Sequence, residues 1–196
     1  MLPVCSRYTI IGTAIFAERF SHPFLRPRYN AAPGQNLPVI TEHGLREAGF
    51  GIIRHDGRRL INQRIERVRE KGISGSDPCL IPASGFYEWK SEGARRQPYY
   101  FSLPGRELFC FAGVLDTAGD AFAIVTRQAT DPVSRIHPRM PFILDAWSEE
   151  EWLRGREPEP APDLITMIAV SLDINDPAAP DDPALIRPAF HNHTWW

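Results

Sequence analysis

Apolar positions along this chain follow two rhythms. From Thr13 to Phe20 they fall at helical spacing, on Ile15, Phe16 and Phe20, and predict a short helix. Leu37–Thr41 and Ala48–Ile53 read as strands, with Glu42-His43-Gly44 as the turn between them. Asn62–Glu70 is dense in charge and reads as a helix or the approach to one. A short packed strand is expected around Ile81, Phe86 and Tyr87. Pro98–Leu103 and Glu107–Leu115 alternate about Pro104-Gly105, a hairpin signal, and Ala121–Thr126 is an apolar strand. Ser148 followed by three glutamates predicts a helix start, with Ser148 as N-cap and acidic residues in the first turn. Glu157–Asp163 and Asp176–Pro183 are rich in proline and acid and read as loops, with a late strand over Ile165–Leu172. Strands dominate and no βαβ rhythm appears. The expected class is α+β, with curved antiparallel sheets.

Composition narrows this. With 196 residues and 43% hydrophobic content, one compact domain over 1–196 is expected. No apolar run approaches the ~18 residues of a membrane span. Met1-Leu2-Pro3-Val4 lacks the basic and apolar regions of a secretory signal. Cys5, Cys79 and Cys110 have unrelated spacings, which argues against a disulfide framework or zinc ribbon and for a reducing, cytoplasmic setting. The net charge of −2 hides an asymmetry. Residues 1–140 hold 19 Lys and Arg against 13 Asp and Glu, whereas 141–196 hold 3 against 11. Of the basic residues 20 are arginine, the side chain suited to bidentate phosphate contacts. A basic body with an acidic end is compatible with a local phosphate-binding groove, as it is with ordinary surface arginines.

Chemistry concentrates in Ile81–Lys90, where Glu88 sits between Tyr87 and Trp89. Aromatic neighbours desolvate a carboxylate and raise its proton affinity toward the range useful for acid/base work; a strand-edge Glu reaching into water is the alternative. Taken singly, other residues are equally open to plain readings: Cys5 as a small buried hydrophobe, His137 as a core histidine beside Pro138, Asn62 as a helix cap, Thr126 as a solvent-facing strand residue. His191 and His193 stand without a Cys or carboxylate set, so no metal is expected, and Trp195-Trp196 is expected to pack on the body. Phosphate-loop and dinucleotide fingerprints are absent, so no cofactor is expected.

Several pieces nevertheless occur in one order: Cys5-Ser6-Arg7-Tyr8, Arg28–Gln35 with its Tyr29-Asn30-Ala31-Ala32-Pro33 centre, Asn62-Gln63-Arg64-Ile65-Glu66, Glu88-Trp89, Thr126, and His137-Pro138-Arg139-Met140-Pro141. Together they resemble the SRAP (SOS response-associated peptidase) family, whose members trap abasic sites in single-stranded DNA. The resemblance runs from Cys5 to about Trp152, leaving 153–196 as an acidic, proline-rich end packed on the same body. It implies a barrel-like core with peripheral helices. It also implies that Cys5 is the nucleophile, Glu88 and His137 the acid/base pair, and Asn62 the residue holding the aldehyde or adduct. Arg7, Arg64 and Arg139 would take phosphates, Asn30 and Thr126 would help hold the DNA and orient the adduct, and Phe50 and Trp89 would stack on bases beside the lesion. The implied protein is a monomer, nucleoid-associated when bound to DNA.

The family's cysteine is terminal after removal of the initiator Met, and the chemistry requires it. A free α-amine titrates near ~8 and attacks an aldehyde, after which the adjacent thiol closes a thiazolidine; an amide nitrogen cannot. Here Met1–Val4 precede Cys5, so the start differs, the leader is cut autocatalytically, or the ring does not form. Ser6 replaces the family's Gly. Phe50-Gly51-Ile52 stands for Trp-Gly-Leu without the following Pro, and the link onward to Asn62 is short. Two rivals share the site: a cysteine-dependent autopeptidase without DNA capping, and a non-covalent binder of single-stranded DNA.

Overall fold

A computed structural model describes residues 4–22, 25–93, 95–159, 164–176 and 178–189. The expectations for Met1–Pro3, for His191 to His193 and for Trp195-Trp196 lie outside the described residues. In chain order the elements begin with β1 (Tyr8–Ile10), α1 (Thr13–Phe20), β2 (Arg28–Ala31), β3 (Asn36–Thr41) and β4 (Gly44–Phe50). Next come β5 (Ile52–Ile53), β6 (Arg59–Leu60), β7 (Asn62–Arg64), α2 (Ile65–Lys71), β8 (Pro78–Ala83) and β9 (Gly85–Glu92). They end with β10 (Arg95–Ser102), β11 (Phe109–Leu115), β12 (Ala121–Gln128), β13 (Arg139–Pro141), β14 (Ile143–Leu144), α3 (Ala146–Leu153) and β15 (Thr166–Ala169).

Two sheets form the body. The first has the order β15-β10-β9-β1-β2; the second runs β13-β12-β4-β3-β8-β11-β14, with β7 on β12. An added β11–β12 pairing bends the second sheet into a partial ring. The first sheet is wholly antiparallel, whereas the second is mixed, because β12 runs parallel to both β4 and β7. The main core fills the space between the sheets: Tyr8 and Phe86 from the first meet Phe50 and Phe111 from the second, with ring centroids 5.8 Å and 6.0 Å apart for Tyr8–Phe50 and Phe86–Phe111. A second cluster lies where α2 and α3 cover the back of the ringed sheet, through Ile65, Val68 and Trp152. A third covers the outer face of the first sheet, where Val170, Ile174 and Leu185 pack on Tyr87 and Tyr100.

Several expectations need correction. Pro98–Leu103 and Glu107–Leu115 do not form a hairpin, since β10 belongs to the first sheet and β11 to the second. The chain crosses over after a small bridge between Leu103 and Arg106, and the real hairpin partner of β10 is β9. Ile81 and Phe86 likewise lie on different strands, β8 and β9. Ala48–Ile53 is not one strand: Gly51, at φ +109°, breaks it in a conformation that favours glycine. Helix α3 is capped by Asp145, whose side chain accepts from the Ser148 N–H at 2.8 Å; Ser148 supplies the amide, three residues inside the cap. The α1 boundaries match the expected helix.

Candidate active site

Strand alternation decides where Glu88 points. Along β9, Phe86 faces the main core and Tyr87 the outer cluster, so the period of two returns Glu88 to the inside. Its side chain is only 2% exposed. Core burial therefore desolvates it, whereas the flanking Tyr87 and Trp89 rings stand on the other face of the sheet. Burial pushes the Glu88 carboxyl up to about 8, opposed by the Cys5 N–H and by the charge of Arg96. The strand-edge reading is excluded.

Cys5 lies in a turn beside this carboxyl. Its backbone N–H donates to Glu88 Oε1 at 2.5 Å, and its φ of +44° is unusual for a residue with a side chain. The residue is fully buried, and the preceding Val4 is buried with it. Burial, reinforced by Glu88, holds the thiol well above its ordinary pKa, so it is neutral near pH 7. The Sγ has the Arg7 carbonyl oxygen as a distant partner at 4.0 Å. The nitrogen of the Val4–Cys5 peptide bond is thus the atom that touches the carboxyl.

Asn62 and Thr126 come from the parallel β7–β12 pair, in which Asn62 lies opposite Ile124 and Arg64 opposite Thr126. Ile124 belongs to the core cluster that also encloses Cys5, so Asn62 and Thr126 share that face. The amide nitrogen and oxygen of Asn62 are both buried without a hydrogen-bond partner, as is His137 Nε2. Buried polar groups are seldom left unpaired, and here two of the expected catalytic side chains are. The His137 ring is oriented by the Arg139 backbone, 3.0 Å from Nδ1. When the Arg139 N–H donates to Nδ1, the neutral ring carries its proton on the unpartnered Nε2. Among the described residues no hydrogen bond joins the Cys5–Glu88 pair to Asn62 or His137.

The expected DNA-binding residues divide sharply. Arg64 is exposed, and its guanidinium has no ion pair among the described residues. Arg139 is engaged inside the protein: it forms a two-point pair with Glu66 at 2.7 and 2.9 Å and donates to the Thr126 carbonyl at 2.5 Å. This bond to Arg139 holds the Glu66 carboxyl below its usual range. The partner of Glu66 lies 73 residues away in the chain, with no local signal to reveal it. Phe50 has no exposed surface and stacks on Phe122 at 5.1 Å, so the ring expected to meet a base is part of the core. Arg7, Asn30 and Trp89 lie on the outer face of the first sheet. Arg7 is 9% exposed and donates to Asn30 Oδ1 at 2.8 Å. Trp89 donates through Nε1 to Asn175 at 2.6 Å, with the Arg96 guanidinium 5.6 Å over its ring. Tyr8, part of the first motif but assigned no role, carries a buried hydroxyl without a partner.

With this geometry in place, comparison with known proteins is decisive. Residues 4–175 match the family model described as SOS response associated peptidase (SRAP). The chain belongs to the SRAP family. Its relatives include the abasic site processing protein YoaM of Bacillus subtilis, 28% identical over 96% of this chain and 95% of the relative. YobE of the same organism, also named an abasic site processing protein, is 31% identical over 82% and 83%. The fold matches the crystal structure of a Bacteroides thetaiotaomicron protein at TM-score 0.73 and 21% identity, covering 95% of this chain and 100% of that one. The fold of this chain is therefore shared with that structure. Among the described residues no helix is long and apolar enough to cross a membrane.

Proposed function

We propose that this SRAP protein processes abasic sites in single-stranded DNA, first releasing the residues before Cys5 and then capping the lesion's aldehyde through Cys5. The observation that carries the reading is the hydrogen bond from the Cys5 nitrogen to the buried Glu88 carboxyl. That nitrogen is the leaving atom of one reaction and the nucleophile of the next.

In the first step Cys5 Sγ attacks the Val4 carbonyl carbon, and the C–N bond breaks to give a thioester and a free amine. Glu88, protonated near neutrality because of its raised pKa, delivers a proton to the departing nitrogen, and the carboxylate left behind takes the proton that the Cys5 thiol gives up. Water then cleaves the thioester and restores the thiol. The left-handed backbone at Cys5 favours this rearrangement, since strained φ values cost about 1–3 kcal/mol that leaving the peptide form returns. In the second step the new α-amine adds to the aldehyde of the ring-opened deoxyribose and loses one water to give an imine. The thiol adds its sulfur to the imine carbon and its proton to the nitrogen, closing a five-membered thiazolidine. Glu88 and His137 move these protons. The unpartnered amide of Asn62 holds the sugar oxygen, donating through Nδ2.

Arg64 supplies the exposed phosphate contact, and Thr126 orients the adduct. The protein acts as a monomer, without a cofactor or a metal, in hydrolytic leader removal followed by crosslinking. Intact-mass spectrometry, before and after incubation with single-stranded DNA bearing one abasic site, tests the reading. Loss of residues 1–4 and a stable DNA adduct, absent in Cys5→Ala, is the expected result. A full-length mass with no adduct would overturn it.

A further inference from the structure

One short stretch, running from Asn175 at the end of the family match into the acidic residues beyond it, contacts two of the residues expected to bind DNA, Trp89 and Asn30. The family match ends at residue 175, and Asn175 accepts the Trp89 indole N–H. The Ala179 carbonyl accepts from Asn30 Nδ2 at 3.1 Å. Asp181 Oδ1 accepts the backbone N–H groups of both Tyr29 and Asn30, the latter at 2.9 Å. Asp181 Oδ2 lies 2.9 Å from Arg28 Nε. Arg7, held by Asn30, feels the charge of Asp176 as well.

Two successive backbone N–H groups and a guanidinium converging on one carboxylate form an oxyanion receptor. It sits on β2, the edge strand of the first sheet, one strand away from the turn that carries Cys5. Apolar anchors flank the acidic stretch, with Ile174 before it and Leu185 after it, both buried. Among the described residues between them, Ala179 packs on the outer cluster, and Ala179 and Asp181 make the polar contacts with β2. Asp181 and Arg28 are each about one-third exposed, so an incoming anion reaches the receptor.

We propose that the cradle of Arg28 and the Tyr29 and Asn30 N–H groups is a phosphodiester subsite for the DNA strand, filled in the unbound protein by Asp181. The inference rests on the DNA-binding reading above and extends it: DNA and the protein's own carboxylate compete for one receptor. The flanking anchors stay docked while the Ala179–Asp181 contacts exchange for a phosphate. The acidic end of the chain thus weakens binding to ordinary DNA, and the Cys5 chemistry supplies the added hold at a lesion.

The test measures fluorescence anisotropy with unmodified single-stranded DNA at low salt, using wild type, Asp181→Asn and Glu42→Gln. The last removes the same charge from the exposed β3–β4 turn and controls for net charge. Asp181→Asn is expected to bind roughly three- to tenfold more tightly than both, the size of one competing charged contact. Equal or weaker binding by a folded Asp181→Asn overturns the subsite and leaves the DNA reading standing. Absence of binding by all three proteins, with no adduct at an abasic site, overturns the DNA reading and the subsite with it. Should Asp181→Asn fold poorly, amide NMR on wild type decides: shifts at Tyr29 and Asn30 on adding DNA support the subsite, and unchanged amides overturn it.

Discussion

The backbone N–H of Cys5 donates to Oε1 of Glu88 at 2.5 Å, although 83 residues separate them in the chain. Sheet alternation delivers the carboxyl to the core side of β9, and a turn ahead of β1 delivers the nitrogen. Because the carboxyl touches the nitrogen that the proposed two-stage reaction would free and then use, Glu88→Gln should slow both stages. A lost general acid/base costs on the order of 100-fold or more in rate. Time courses of leader loss by mass and of adduct formation on gels provide the check.

The raised Glu88 pKa also sets a stability profile. The folded protein keeps the proton up to about 8, whereas an unfolded glutamic acid loses it near ~4.3. The folded state therefore binds more protons between these limits, and stability must fall as pH rises through them. The contribution is fully present below the unfolded pKa and gone above the folded one. Urea melts of the unprocessed protein at pH 5 and pH 8 should show a larger loss for wild type than for Glu88→Gln. Parallel behaviour of the two proteins would place the carboxyl at an ordinary pKa.

Arg64 and Arg139 should separate, although both were expected on phosphates. Arg64→Ala should leave the melting temperature nearly unchanged, weaken DNA binding and reduce the salt slope by about one. Arg139→Ala removes the link between Glu66 and the Thr126 carbonyl and should cost about 1–3 kcal/mol of stability. It should also slow crosslinking, because the backbone that orients His137 loosens. Paired denaturant melts and anisotropy titrations distinguish the two arginines.

Gly85 carries a packing constraint three residues before Glu88. A Cβ there would lie 2.2 Å from the Tyr100 hydroxyl and 2.6 Å from the Phe101 carbonyl oxygen. Backbone does not yield as a side-chain tip does, so Gly85→Ala should destabilise by about 1–3 kcal/mol. The shift would propagate along β9 and weaken the Cys5–Glu88 contact, lowering processing more than DNA affinity. Melting temperature and leader loss measured on the same preparation would reveal it.

Much of this fold was legible where local periodicity is strong. Helix α1, strands β3 and β12, and the α+β class follow from the spacing of apolar residues. What escaped depends on pairing across the chain. Nothing local distinguishes β10 and β11 as members of different sheets, and a Pro-Gly turn serves a crossover as readily as a hairpin. The parallel approach of β7 to β12, which brings Asn62 and Arg64 beside Ile124 and Thr126, is equally nonlocal. At the site, Glu88 was found for a reason that proved incomplete: its desolvation comes from the core side, not from the adjacent rings. Phe50 and Arg139 read as surface groups because an aromatic beside glycine and an arginine in a loop motif look alike whether free or engaged. Asp181 lay in a stretch read only as a loop, and its partners on β2 are some 150 residues away in sequence.

The complete burial of Cys5 has a consequence for the lifetime of its sulfur. Oxidants and small electrophiles attack the thiolate form and need access to it. This thiol is both neutral and enclosed, so peroxide or a stray disulfide reaches it only when the chain around Val4 opens locally. The same enclosure that shuts out foreign reagents keeps the sulfur reduced, and it leaves the adjoining Val4 carbonyl as the one electrophile that the proposed chemistry needs no opening to meet.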